Sequence, residues 1–176
     1  MVDNKMDKNI ILIGMMATGK SAVGKELALK LGRTFLDTDL LIEQKTGMTI
    51  VELFKNHGEN CFRDHESEVI AGLKDYPRGS LVVATGGGAV IREENRNNMS
   101  RAGLLVHLKA SPGEIVTRAL QKGGRPLLDV EDPEAAVRAI LEEREPYYSN
   151  NDICVNTENK SVKELAEEII KKLQGC

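Results

Sequence analysis

A short apolar run, a glycine-bounded turn and a helical pattern follow one another between Asn9 and Leu31, and no other stretch restricts the fold as strongly. Asn9-Ile10-Ile11-Leu12-Ile13 reads as a buried strand. Gly14-Met15-Met16-Ala17-Thr18-Gly19-Lys20-Ser21 then fits the pattern G-x-x-x-x-G-K-[ST]. Ala22, Val23, Leu27, Ala28 and Leu31 recur afterwards at helical spacing. In that setting the turn is an anion nest, with backbone N–H groups and the positive end of the helix dipole converging on a phosphate chain. Lys20 is expected to reach the β- and γ-phosphates, and the Ser21 hydroxyl to ligate Mg²⁺. The competing reading is a chance match in an ordinary strand-turn-helix, which the context on both sides disfavours. The pattern implies a bound nucleoside triphosphate and leaves open what receives the phosphate.

The remainder of the chain repeats the alternation of apolar runs with helical patterns, which predicts an α/β fold with a parallel sheet. Strands are expected at Thr34–Asp37, Ser80–Ala84, Leu104–Leu108 and Ile153–Val155. Helices are expected from about Leu40 to Gly47, from Thr49, from about Glu59 to Leu73, from Arg92 to Ser100, from Ser111 to Gln121, from Asp132 to about Pro146, and from Ser161. Thr49-Ile50-Val51-Glu52, Ser111-Pro112-Gly113-Glu114 and Ser161-Val162-Lys163-Glu164 each read as a capping box. Five strands wrapped by helices place a ligand outside the carboxyl ends of the strands.

A length of 176 residues suits one domain with its own core. Aromatic residues are 3% and Trp is absent, so that core must be aliphatic. A net charge of −3 gives no footprint for nucleic acid or an anionic membrane, so any anion must be held by local positive charge. The first eight residues lack the apolar centre of a signal peptide, and no apolar run approaches membrane-spanning length. Cys61, Cys154 and Cys176 are widely separated, which suits a reducing cytoplasm better than a disulfide framework.

Residues at strand ends line the site of such a sheet. Asp37-Thr38-Asp39 leaves the second strand, where one carboxylate would hold Mg²⁺ through water and the other would take a proton from an attacking hydroxyl. Asp39 as a plain helix N-cap is the alternative. Gly86-Gly87-Gly88 directly follows a strand expected to be central, so it either lines an acceptor pocket by close backbone approach or is a flexible turn. Arg63, Arg118, Arg125 and Arg144 are candidate anion clamps, weighed against ordinary surface pairing. Glu66, three residues after Arg63, is placed to hold its guanidinium. Arg125 lies between Gly-Gly and Pro, in a stretch from Lys122 onward that reads as a mobile loop able to close over ATP. His107 reads as a buried or strand-end structural residue, and Met15 and Met16 as packing residues.

From about Asn9 to Leu173 the ordered set G-M-M-A-T-G-K-S, D-T-D, G-E-x-x-F-R-x-x-E, T-G-G-G, R-P-L-L and R-x-P-x-Y resembles the shikimate kinases. The resemblance implies a single domain of the P-loop kinase type over 1–176: a three-layer αβα sandwich with a five-stranded parallel sheet, an acceptor-binding region at about 37–75 and a lid at about 122–131. It implies MgATP-dependent phosphorylation of the 3-hydroxyl of shikimate by a cytoplasmic monomer with no nucleic-acid or membrane partner. Ala17, Thr18, Gly19, Lys20, Ser21, Ala22, Arg118, Arg125 and Lys160 would bind ATP, with Ser21 and Asp37 at the metal. Lys20, Asp39 and Arg125 would be catalytic. Asp39, Arg63, Gly86, Gly87, Gly88 and Arg144 would bind the acceptor, with Phe54 and Phe62 walling its ring. Two departures stand out. Ala17 occupies a usual glycine position, so that turn is expected to keep to a region open to L-residues. Ala22 occupies a common threonine position, removing one hydroxyl from the α-phosphate.

Two other readings compete. One is a related small-molecule kinase acting on gluconate or a nucleoside monophosphate, which the glycine triplet and the F-R-x-x-E helix disfavour. The other is a nucleotide-binding regulatory module without catalysis, which the intact Lys20, Ser21, Asp37, Asp39 and Arg125 disfavour.

Overall fold

Every residue of the first strand is buried, because helices cover both faces of the sheet around it. The computed structural model describes residues 5–121 and 130–175. Its strands are β1 (Asn9–Ile13), β2 (Thr34–Asp37), β3 (Leu81–Ala84), β4 (Gly103–Lys109) and β5 (Ile153–Asn156). Its helices are α1 (Lys20–Leu31), α2 (Thr38–Thr46), α3 (Ile50–Gly72), α4 (Glu93–Ala102), α5 (Pro112–Gln121), α6 (Pro133–Tyr148) and α7 (Val162–Gln174). All five strands are parallel, in the order β2-β3-β1-β4-β5. The result is the parallel α/β sheet that the alternation predicts, in the three-layer αβα sandwich that the resemblance implies. The centre of the sheet is β1, with β3 interior beside it, as expected of the strand that leads into the glycine triplet.

The two-residue period of a strand divides the core. Ile10 and Leu12 face a cluster built with Val23, Leu27, Leu165 and Ile169 of α1 and α7. Ile11 and Ile13 face the opposite cluster, with Ile70 of α3, Met99 of α4 and Tyr148 of α6. The successor of β1 is β2, at one edge, while β3 crosses to β4 on the other side of β1. Chain connections therefore diverge beside β1, and their loops leave a crevice at the carboxyl ends of β1, β2 and β3.

Helix ends follow local chemistry, with three departures from the sequence reading. Asp37, not Asp39, caps α2: its carboxylate accepts from the Asp39 N–H at 3.1 Å. The boxes at Thr49 and Ser161 are reciprocal, but the one at Ser111 is not. There the Ser111 N–H donates to Glu158 at 2.7 Å, and the Glu114 carboxylate instead accepts from Arg118 at 2.6 Å. A charged partner one turn along outcompeted the cap. The helices expected on either side of residue 58 form one run, Ile50–Gly72, interrupted by Gly58 at φ 80° and ψ 172°. Only glycine takes that conformation cheaply, and it turns the segment that carries Arg63.

Candidate active site

The turn after β1 wraps the Lys20 ammonium. Its Nζ donates to the carbonyls of Gly14 at 2.7 Å and Met15 at 2.8 Å, and Thr18 Oγ1 closes the loop on the Met15 carbonyl at 2.8 Å. Ala17 has φ 60°. It therefore meets the expected restriction only at its margin, in the small left-handed region that costs an L-residue about 1–2 kcal/mol. At Gly14, φ is 141° and an added Cβ would meet the Leu108 carbonyl, so the first position of the pattern admits no side chain.

Ser21 stands in the first turn of α1, and its hydroxyl donates to Asp37 Oδ2 at 2.7 Å. Because Asp37 Oδ1 caps α2, one carboxylate ties the phosphate loop to the start of the next helix. A hydroxyl and a carboxylate oxygen in contact are hard donors that suit Mg²⁺, which takes few protein ligands and completes its shell with water and phosphate oxygens. No group of three or more His, Cys, Asp or Glu side chains stands ready to cage a metal among the described residues.

Asp37 and Asp39 lie in one cleft with Gly19, Lys20, Ser21, Gly86 and Gly87. The glycine triplet explains how so many charged groups fit together. A Cβ on Gly86 would lie 2.9 Å from Glu66 Oε1 and 3.0 Å from Asp39 Oδ1. One on Gly87 would lie 3.0 Å from the Met16 N, and one on Gly88 would lie 2.6 Å from Arg63 Nη1. The three positions thus seat two carboxylates, the phosphate loop and a guanidinium in turn. Thr38 Oγ1 accepts from the Gly86 N–H at 3.1 Å, and Thr85 Oγ1 donates to the Leu12 carbonyl at 2.9 Å, which fixes the approach to the triplet.

Arg63 donates to Glu66 at 2.8 Å and to Glu59 at 3.1 Å. Glu66 is fully buried, and its Oε1 has no hydrogen-bond partner among the described residues. Burial pushes its carboxyl up from the ordinary value; Arg63 pulls it back, and Asp39 adds to the rise. Burial would lower Arg63, but the Glu66 and Glu59 carboxylates outweigh that and hold it above its ordinary value. Phe54 and Phe62 stand beside this cluster, their ring centroids 4.8 Å apart.

Arg144 enters from α6 and donates to the Gly87 carbonyl at 3.2 Å. Its Nε is buried with no partner among the described residues. Arg118 donates to Thr157 Oγ1 and to the Thr157 carbonyl, both at 3.0 Å, which joins α5 to the loop after β5. Lys160 pairs with Glu168 of α7 at 2.6 Å and does not line the cleft of the phosphate loop. Arg125, and residues 122–129 of the expected lid, lie outside the described residues. The sequence reading missed Tyr148, whose hydroxyl donates to the Gly87 carbonyl at 2.6 Å, although it is the last residue of R-x-P-x-Y.

A family model described as shikimate kinase matches residues 16–174. The chain belongs to the shikimate kinase family. A shikimate kinase from Thermodesulfovibrio yellowstonii is 46% identical over 167 residues, covering 95% of this chain and 95% of that one. Among solved structures, the shikimate kinase from Acinetobacter baumannii in complex with shikimate superposes with a TM-score of 0.90 at 37% identity, covering 97% of this chain and 95% of that one. A gluconokinase from Sinorhizobium meliloti shares the fold alone, with a TM-score of 0.59 at 18% identity over 96% of this chain and 93% of that one. A small-molecule kinase of the shikimate kinase family accounts for the nucleotide loop and the charged acceptor cluster in one chain.

Proposed function

We propose that this chain transfers the γ-phosphoryl group of MgATP to the 3-hydroxyl of shikimate, giving shikimate 3-phosphate and ADP. The observation that carries the reading is the glycine triplet, which lets Arg63, Glu66 and Asp39 crowd against the phosphate loop. The Arg63 guanidinium, largely enclosed beside the buried Glu66, is a site for a small carboxylate, since a buried anion needs a paired charge. Family membership supports the same acceptor.

Phosphoryl transfer asks a protein for positioning and charge neutralisation more than for covalent chemistry. Arg63 and Arg144 hold the acceptor carboxylate by planar forks. Asp39 orients the attacking hydroxyl and takes its proton. As the acceptor oxygen bonds to the γ-phosphorus, the bond to the β–γ bridging oxygen breaks and its electron pair leaves with ADP. Lys20 neutralises phosphate charge, joined by Arg125. Ser21, and Asp37 through water, would hold Mg²⁺, which would supply charge screening to the phosphate oxygens. Arg118 and Lys160 flank the adenine, and the phosphate loop from Ala17 to Ala22 carries the phosphates. The whole works as one P-loop kinase domain over 1–176, with its acceptor region at about 37–75 and a lid at about 122–131. It acts as a cytoplasmic monomer.

Arg63→Lys tests the acceptor assignment while keeping a cation beside the buried Glu66. It removes the fork, so the KM for shikimate should rise about tenfold while that for ATP changes by less than about twofold. Equal changes in both would remove Arg63 from the acceptor site.

A further inference from the structure

We infer that Tyr148 is a positioning residue for the acceptor half of the site, acting through the Gly87 carbonyl. The inference rests on the acceptor reading above and extends it to a residue on the far side of the glycine triplet.

Three successive glycines have wide conformational freedom and no side chain to pack, so something outside must hold their peptides in place. The Gly87 carbonyl accepts twice, from Tyr148 Oη at 2.6 Å and from Arg144 Nη1 at 3.2 Å, which uses both of its lone pairs. The two donors are four residues apart and therefore lie on one face of α6. Gly87 itself has almost no room on its other side, where an added Cβ would lie 3.0 Å from the Met16 N. The peptide is thus held between α6 and the phosphate loop.

Tyr148 is built to be a fixed donor. Its side chain is fully buried. Its ring stacks on His107 with centroids 4.9 Å apart and planes 15° apart. Its carbonyl accepts from Asn151 Nδ2 at 2.8 Å, which holds the end of the helix. A stacked ring with two torsions loses little freedom on delivering its hydroxyl. Arg144 has the weaker hold on the carbonyl at the longer distance, and its fork is also wanted for the acceptor. With the tyrosine hydroxyl present, Gly87 stays in register without depending on the arginine alone. Without the hydroxyl, a buried carbonyl acceptor loses a partner and Arg144 becomes its sole donor among the described residues.

Tyr148→Phe keeps the ring and deletes only the hydroxyl. The KM for shikimate should rise about fivefold to tenfold, the span of one lost buried hydrogen bond, with the KM for ATP changed by less than about twofold. A purely structural role would lower thermal stability and the active fraction together and leave both KM values alone. A second measurement needs no acceptor. The Ala89 N–H, held by the Gly86 carbonyl at 3.1 Å, reports on the turn through the triplet, and its hydrogen exchange in the nucleotide-free protein should quicken in Tyr148→Phe. Unchanged exchange at Ala89, or an unchanged shikimate KM in a folded variant, overturns the inference. A wild-type protein that does not turn over shikimate overturns the acceptor reading instead, and the exchange experiment still decides whether Tyr148 holds the triplet.

Discussion

Burial holds the His107 imidazole neutral: its pKa is pushed down to about 4 by desolvation, with Lys109 and Lys20 adding to the fall and Glu145 opposing it. The unfolded chain binds this proton from about pH 6.5 downward, and the folded chain only near pH 4, so stability declines as pH falls between those values. Urea unfolding at pH 7 and pH 5 should therefore show a smaller loss in His107→Asn than in the wild type, and an equal loss would mean that His107 titrates normally in the fold. This residue was legible in part, since a histidine within an apolar strand pattern already suggested burial. The placement of Lys20 and Ser21 at the end of the turn after β1 was legible from the spacing of the glycines around them. Tyr148 was not, because its partner is a main-chain carbonyl 61 positions away and carbonyls leave no mark in a sequence. Nor was the pairing of Lys160 with Glu168, since one carboxylate among many on α7 cannot be singled out by composition.

At the scale of elements, α1 positions the phosphate loop by lying close on the sheet. Gly24 makes that approach possible: an added Cβ would lie 2.6 Å from Phe35 Cε2 of β2 and 3.1 Å from Leu12 Cδ1 of β1. Gly24→Ala sets two effects against each other. The helix gains about 1 kcal/mol of propensity, while overpacking costs about 1–3 kcal/mol. Overpacking should win, giving a net loss of about 1 kcal/mol in urea unfolding. A variant as stable as the wild type would show that Phe35 swings aside at no cost. Strands and helices were read from the sequence within a few residues because each carries its own period and its own stop signal. The Ser111 box failed as a reading because both of its members had other partners: the Ser111 N–H turns to Glu158, brought in by tertiary structure, and the Glu114 carboxylate turns to Arg118 one turn along α5. The break at Gly58 was foreseen as a gap between two helices, and only its geometry shows how one run can turn without ending.

The molecule as a whole gathers its chemistry at one end of a parallel sheet. Chain connections diverge beside β1, so the phosphate loop, the junction of β2 with α2 at Asp37–Asp39 and the glycine triplet meet although they lie far apart in sequence. The fold class followed from the alternation of elements, but the strand order did not, since a parallel sheet of five strands admits several. No described helix is long and apolar enough to cross a membrane. With the phosphate loop, both aspartates and the glycine triplet in one cleft, and Arg63 and Arg144 packed against that triplet, the central claim is a transfer between two specific partners. The most direct test incubates the protein with MgATP and shikimate, with gluconate and AMP as separate control acceptors, and follows ADP while the product is identified by mass and by phosphorus NMR. The account predicts ADP release that depends on shikimate and a single product phosphorylated at its 3-hydroxyl. ATP turnover indifferent to shikimate, or phosphate carried to gluconate or AMP instead, would contradict it.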